Sequence, residues 1–265
     1  MLRDITLGQY YPVKSRIHDL DPRTKLAATL LYIISLFLTI NWQGYFLAAV
    51  FLFYCIRLSH IPPSYILRGL KGIMILLLFS VAFNLFLTEG DTLVAFGALR
   101  ITWQGLTQSI YMAVRLIFLI MGSSLMTFTT TPTSLTDGLE RGLRFLKWFR
   151  VPVHEIAMMM SIALRFIPIL TEETDKIMKA QMARGADFES GRLIQRAKAM
   201  IPLLVPLFIS AFRRATDLAM AMEARCYHGG DGRTKLHPLV YRPADRAGYL
   251  LCFLYLGLVI GSRFL

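Results

Sequence analysis

Acidic side chains are nearly missing from the long stretch between residues 26 and 131. Only Glu89 and Asp91 carry negative charge there, against five Lys and Arg. The run from Leu26 to Ile56 holds no charged residue of either sign. Such runs exclude an ordinary soluble domain. With 55% hydrophobic residues and a mean hydropathy of +0.52, the chain reads as an integral membrane protein. Cysteine is scarce as well: Cys55, Cys226 and Cys252 show neither pairing nor metal-ligand spacing, which argues against a disulfide framework. The first 25 residues lack an apolar core region, so no secretory signal is expected.

Catalytic patterns are missing too. There is no Gly-x4-Gly-Lys-Ser/Thr loop to cradle a phosphate, so the chain is expected to bind no ATP of its own in that way. Neither a His/Glu pair at metalloprotease spacing nor a Gly-x-Ser-x-Gly elbow occurs. Cys226, His228 and His237 are too scattered to predict a metal site, and no basic stripe with interleaved aromatics speaks for nucleic acid. The expectation is a non-enzyme with no catalytic residue, metal or cofactor of its own.

What is present is a set of apolar helices with basic flanks. Asp21 before Pro22 marks a helix start, and Arg23 and Lys25 beside the first apolar run place the N-terminus in the cytoplasm. A single helix from Leu26 to Ile56 would be about 46 Å long, beyond a hydrocarbon core of about 30 Å. Asn41-Trp42-Gln43-Gly44 therefore divides it into helices near 25–40 and 44–57. A basic connection through Arg57, Arg68 and Lys71 leads to a third span over 72–87, and a fourth runs from Trp103 to about Phe128. Arg115 lies near the middle of the fourth, where a charge costs roughly 2.5–3.5 kcal/mol, so it must face protein or a watery groove. A last span covers 247–261. Ser134-Leu135-Thr136-Asp137 resembles a capped start for a surface helix over 135–149.

Residues 151–230 alternate apolar blocks with basic clusters. Two apolar blocks, 156–170 and 199–212, are short, contain Pro168, Pro202 and Pro206, and run without a turn into charged helix. They predict long helices near 153–184 and 191–225 on the inner membrane face, with Gly185 and Gly191 bracketing the link. Each ends in an Ala-Arg-small triplet: Ala183-Arg184-Gly185 and Ala224-Arg225-Cys226. One arginine at a helix C-terminus merely complements the macrodipole, but two in the same frame predict a repeated docking device for carboxylates on a partner. Eight of the thirteen methionines fall between 158 and 222, among them Met158, Met159, Met160 and Met200. Methionine suits a surface that accepts several partners.

At these residues the chain resembles the transmembrane (T) component of energy-coupling factor transporters. The resemblance rests on His18-x-Leu20-Asp21-Pro22-Arg23-x-Lys25, on Leu164-Arg165-Phe166-Ile167-Pro168, and on the paired triplets. Cys226 departs from the pattern by replacing the second glycine. The resemblance implies an all-α membrane protein of about five spans with a cytoplasmic coupling domain of about three helices. It implies residues 1–131 as the N-terminal segment and four spans, 132–246 as the coupling domain, and 247–265 as the last span. The triplets would dock on two ABC-type ATPases that bind the ATP. Met158, Met159, Met160, Arg165, Pro168, Met200, Pro202 and Pro206 would face a substrate-binding membrane subunit, one of several interchangeable ones, for vitamin or other micronutrient uptake across the cell membrane. Asp21, Pro22, Arg23 and Lys25 would be structural. The competing expectation is a self-contained channel or secondary carrier of seven spans, with Arg115 and Arg165 lining an anion path.

Overall fold

The computed structural model describes residues 9–96, 99–188, 193–230, 236 and 238–263. Gly191 and His237 lie outside them. The chain is an all-α membrane protein with one small hairpin: α1 Pro22–Leu38, α2 Trp42–Ser59, α3 Pro63–Lys71, α4 Met74–Leu87, β1 Thr92–Phe96, β2 Leu99–Thr102, α5 Trp103–Thr129, α6 Pro132–Gly142, a 3-10 turn Leu143–Phe149, α7 Val153–Ala183, α8 Leu193–Ala224 and α9 Pro243–Gly261. The strands pair antiparallel, Val94 with Ile101 and Phe96 with Leu99.

Local chemistry sets the helix ends. Asp21 accepts the Arg23 backbone N–H at 2.9 Å and Pro22 takes the first helical position, where no N–H is needed. Thr102 caps α5 by accepting from Gly105 at 3.0 Å. Thr131 accepts from the Ser134 N–H at 3.2 Å ahead of Pro132, so α6 starts three residues before the expected Leu135. The helix expected over 135–149 also changes form, since α6 stops at Gly142 and a 3-10 turn continues with Phe145, Trp148 and Phe149 exposed.

The third expected span differs from its prediction. Arg68 and Lys71 belong to a short helix, α3, whose Ile66 is fully buried, and the chain bends by 64° before α4. Taken together, the bent pair is long and apolar enough for a broken span or a re-entrant loop. Among the described residues, five helices are long and apolar enough to cross a bilayer: α2, α5, α7, residues 199–224 of α8, and α9. At 17 residues α1 falls short of that length. The prolines do not interrupt α7 or α8, which run about 46 and 48 Å, so length and composition do not set them apart from spans.

The chain forms two compact units. One, Gly8–Gly138 with Leu239–Leu265, packs α1, α2, α5 and α9 around Tyr32, Leu36, Ala48, Leu52, Tyr255 and Val259, with α3 and α5 closing a second core at Ile66, Leu125 and Phe128. The Ser35 and Tyr255 hydroxyls meet at 2.7 Å inside the first core. The other unit, within Leu139–Pro238, contains α7 and α8.

Candidate partner-docking site

The two triplets end their helices by one and the same backbone device. At the end of α7, the Gly185 N–H donates to Met182 O at 2.9 Å and the Ala186 N–H reaches back to Gln181 O at 3.0 Å. At the end of α8, the Cys226 N–H donates to Glu223 O at 2.8 Å and the Tyr227 N–H to Met222 O at 3.0 Å. Each is a Schellman motif, in which the residue after the cap turns left-handed and the following N–H closes over the last turn. Gly185 has φ 89° and Cys226 has φ 56°. Within this frame alanine is the last helical residue, arginine is the cap, and the third residue makes the turn. The third position is therefore restricted by backbone conformation, beyond the room it leaves for a partner.

All six triplet residues are exposed. Neither Arg184 nor Arg225 makes a side-chain hydrogen bond or ion pair among the described residues. Two cations at helix C-termini, held by fixed turns and unspent inside their unit, are suited to forked hydrogen bonds with carboxylates.

Their relative placement follows from how α7 and α8 pair. Arg214 donates to Glu173 at 2.8 Å, and Gln181 donates to Pro202 O at a long 3.5 Å. Moving up α7 from 173 to 181 thus means moving down α8 from 214 to 202, so the helices are antiparallel. Pro206 has no N–H to give the carbonyl four residues before it, which frees Pro202 O for Gln181. Arg184 lies eleven residues beyond Glu173, and Arg225 eleven residues beyond Arg214. Each arm is about 16 Å long and they point in opposite directions, so roughly 33 Å of helix separates the arginines.

The second turn has an additional anchor. Gly230 packs against the His154 ring at the start of α7, so closely that any side chain there would overlap it. His154 Nδ1 meets Glu140 Oε1 at 2.8 Å. Sequence reasoning missed this node; His154 and Glu140 carry no local pattern that links them to residue 230.

The remaining expected positions take diverse places. Met159, Met160, Met200 and Pro202 are exposed, as are Arg165 and Pro168, whereas Met158 and Pro206 are half-buried. Ile201, Leu204, Val205, Phe208, Ile209 and Phe212 extend the exposed apolar surface of α8. Asp21 binds Arg23 through both carboxylate oxygens, and Arg23 stacks on the Tyr241 ring at 3.9 Å. The Asp21 N–H donates to buried Asp245 at 2.8 Å, while the other Asp245 oxygen accepts from the Arg242 N–H at 2.7 Å. The N-terminal motif thereby fastens the start of α1 to the start of α9. Asp245 was also missed, although Arg242-Pro243-Ala244-Asp245 carries the spacing of a capping box. Lys25 donates to the carbonyls of His18 and Thr129 at 3.0 and 2.9 Å. Arg115 donates to the Tyr45 hydroxyl at 3.0 Å and to Thr39 O, the cap of α1, at 3.3 Å. Its charge is thus spent on holding α1, α2 and α5 together. Among the described residues no three His, Cys, Asp or Glu side chains come together to hold a metal.

Residues 13–236 match the model of the CbiQ family, described as cobalt transport protein. The energy-coupling factor transporter transmembrane protein EcfT of Thermosediminibacter oceani is 52% identical over 264 residues, covering 100% of both chains. That of Clostridium kluyveri is 51% identical over 265 residues, 99% of this chain and 98% of its own. The EcfT of Bacillus subtilis is 48% identical over 246 residues, 92% of this chain and 93% of its own. The chain belongs to the EcfT family. It is the transmembrane component of an energy-coupling factor transporter, and both triplets lie within 13–236. As an EcfT protein, it is a multi-pass membrane protein of a multi-subunit assembly.

Proposed function

We propose that the chain is the non-catalytic coupling subunit of its transporter. In this reading the Arg184 and Arg225 turns dock on two ABC-type ATPase subunits, and α7 and α8 carry their motion to a substrate-binding membrane subunit that takes up a vitamin or other micronutrient. The observation behind it is the pair of equal turns: two cations with no side-chain partner among the described residues, each eleven residues from the Glu173–Arg214 contact, pointing opposite ways. Two related ATPase subunits present the same docking groove twice, and a pair of arms of equal length matches that duplication. ATP-driven approach of the ATPases moves both arms, and a contact in the middle of two stiff helices converts that into a change of crossing geometry. The exposed methionines and the apolar face of α8 receive the substrate-binding subunit.

In the test, Arg184→Glu and Arg225→Glu are combined, and the complex is purified in mild detergent. Burying a carboxylate against a carboxylate costs several kcal/mol, so copurification of the ATPases falls at least tenfold. Assembly and uptake at the level of the unaltered chain would overturn the reading.

The second reading, a self-contained carrier, draws on the length and apolarity of α7 and α8. Labelling of single cysteines at 172–188 decides between them: only the seven-span arrangement makes these positions reactive from outside. The engagement of Arg115 with Tyr45 and Thr39 counts against an anion path through it.

A further inference from the structure

The unit holding α1, α2, α5 and α9 carries a half-open cavity of about 460 Å³. Its walls are apolar along Ala28, Leu52, Leu125 and Leu251, whereas Arg16, Thr24, Lys25 and Thr129 gather at one end. That end lies where α1 and α9 begin and α5 finishes. An apolar wall that ends in basic side chains, set in a spanning bundle, suits an amphipathic occupant.

Charge gives the occupant its sign. Arg16 is exposed and makes no hydrogen bond or ion pair among the described residues. Lys25 spends two donors on neutral carbonyls and keeps a third. Of the carboxylates acting on Lys25, Asp21 is engaged by Arg23 and Asp245 by the backbone N–H groups of Asp21 and Arg242; exposed Asp19 offsets one of the two cations, and Arg16 leaves this end net positive. Size narrows the choice further. The cavity's volume falls in the range of small-molecule pockets.

We propose that this cavity binds one anionic phospholipid, with an acyl chain along the apolar wall and the phosphate at Arg16 and Lys25. The basic end of the bundle is the end where anionic headgroups concentrate under the positive-inside arrangement.

The full chain, purified in mild detergent, is loaded from vesicles of phosphatidylglycerol or phosphatidylcholine, and retained lipid is counted by native mass spectrometry. About one phosphatidylglycerol per chain is expected to survive detergent exchange. Arg16→Glu lowers that retention by about fivefold or more, since each basic side chain near a lipid surface contributes roughly that factor. Ala28→Leu, which fills the wall, lowers retention of both lipids; Ala247→Leu serves on the α9 wall if the first variant loses monodispersity. Inorganic phosphate does not displace the lipid. Equal retention by the unaltered chain and all variants, the mark of loosely surrounding lipid, would overturn the proposal. So would displacement by phosphate, which would make this a soluble-anion site.

Discussion

The turns after α7 and α8 have the same hydrogen bonds and the same arginine cap, yet they are held differently. The first turn uses Gly185 in the left-handed region, where glycine pays no steric penalty. The second puts Cys226 at φ 56°, a conformation that costs a residue with a Cβ about 1–2 kcal/mol. The cost falls on the turn with the extra anchor, where Gly230 packs on His154 and His154 on Glu140. A strained conformation persists where its surroundings over-determine it. The first turn needs no such support, because its backbone is already relaxed. One helix-ending turn can thus be kept by residue choice or by tertiary contact, and this chain uses both.

The comparison breaks most sharply at Gly230. A Cβ there overlaps the His154 ring, so Gly230→Ala separates the anchor and destabilises the second turn by about 1–3 kcal/mol, the usual cost of overpacking. Hydrogen exchange should quicken at 225–230 and stay unchanged at 184–188. Equal exchange in the variant and the unaltered chain would remove the anchor from the explanation. Exchanging the turn residues has a smaller effect. Cys226→Gly should relieve about 1 kcal/mol and strengthen ATPase copurification through Arg225, whereas Gly185→Cys should cost about 1–2 kcal/mol at the unanchored turn. Both are read by thermal unfolding of the unit and by retention of partners. The smallest change is at the shared contact: Glu173 and Arg214 are partly exposed, so Glu173→Gln should cost only about 0.2–1 kcal/mol, with both turns affected alike. An effect on one turn alone would contradict the symmetric arms.

Residue patterns made much of the candidate site legible. Alanine, arginine and a small residue at the end of a long helical run located both turns, because helix termination is a local event governed by a few neighbouring φ/ψ angles and carbonyls. Asp21-Pro22 likewise marked the start of α1, and the apolar runs of α2, α5 and α9 the bilayer. Patterns worked poorly where structure departed from the local signal. The basic stretch before 72 read as a connection, yet Ile66 buries itself and makes α3 a helix. The helices expected near 153–184 and 191–225 do run through their prolines, but no local pattern showed that the freed Pro202 carbonyl is taken up by Gln181.

The sequence by itself determined that the chain enters a membrane, where its long helices end, and that two arginines stand at those ends; composition and short-range hydrogen bonding are enough for each of these. Only the tertiary structure decided which residues those ends answer to. Asp21 meets Asp245 across 224 positions, Gly230 meets His154, and Glu173 fixes α8 antiparallel to α7 through Arg214. Pairings of that kind depend on which helices pack together. That choice is made by the shape and polarity of whole faces, to which no short stretch of sequence gives the key.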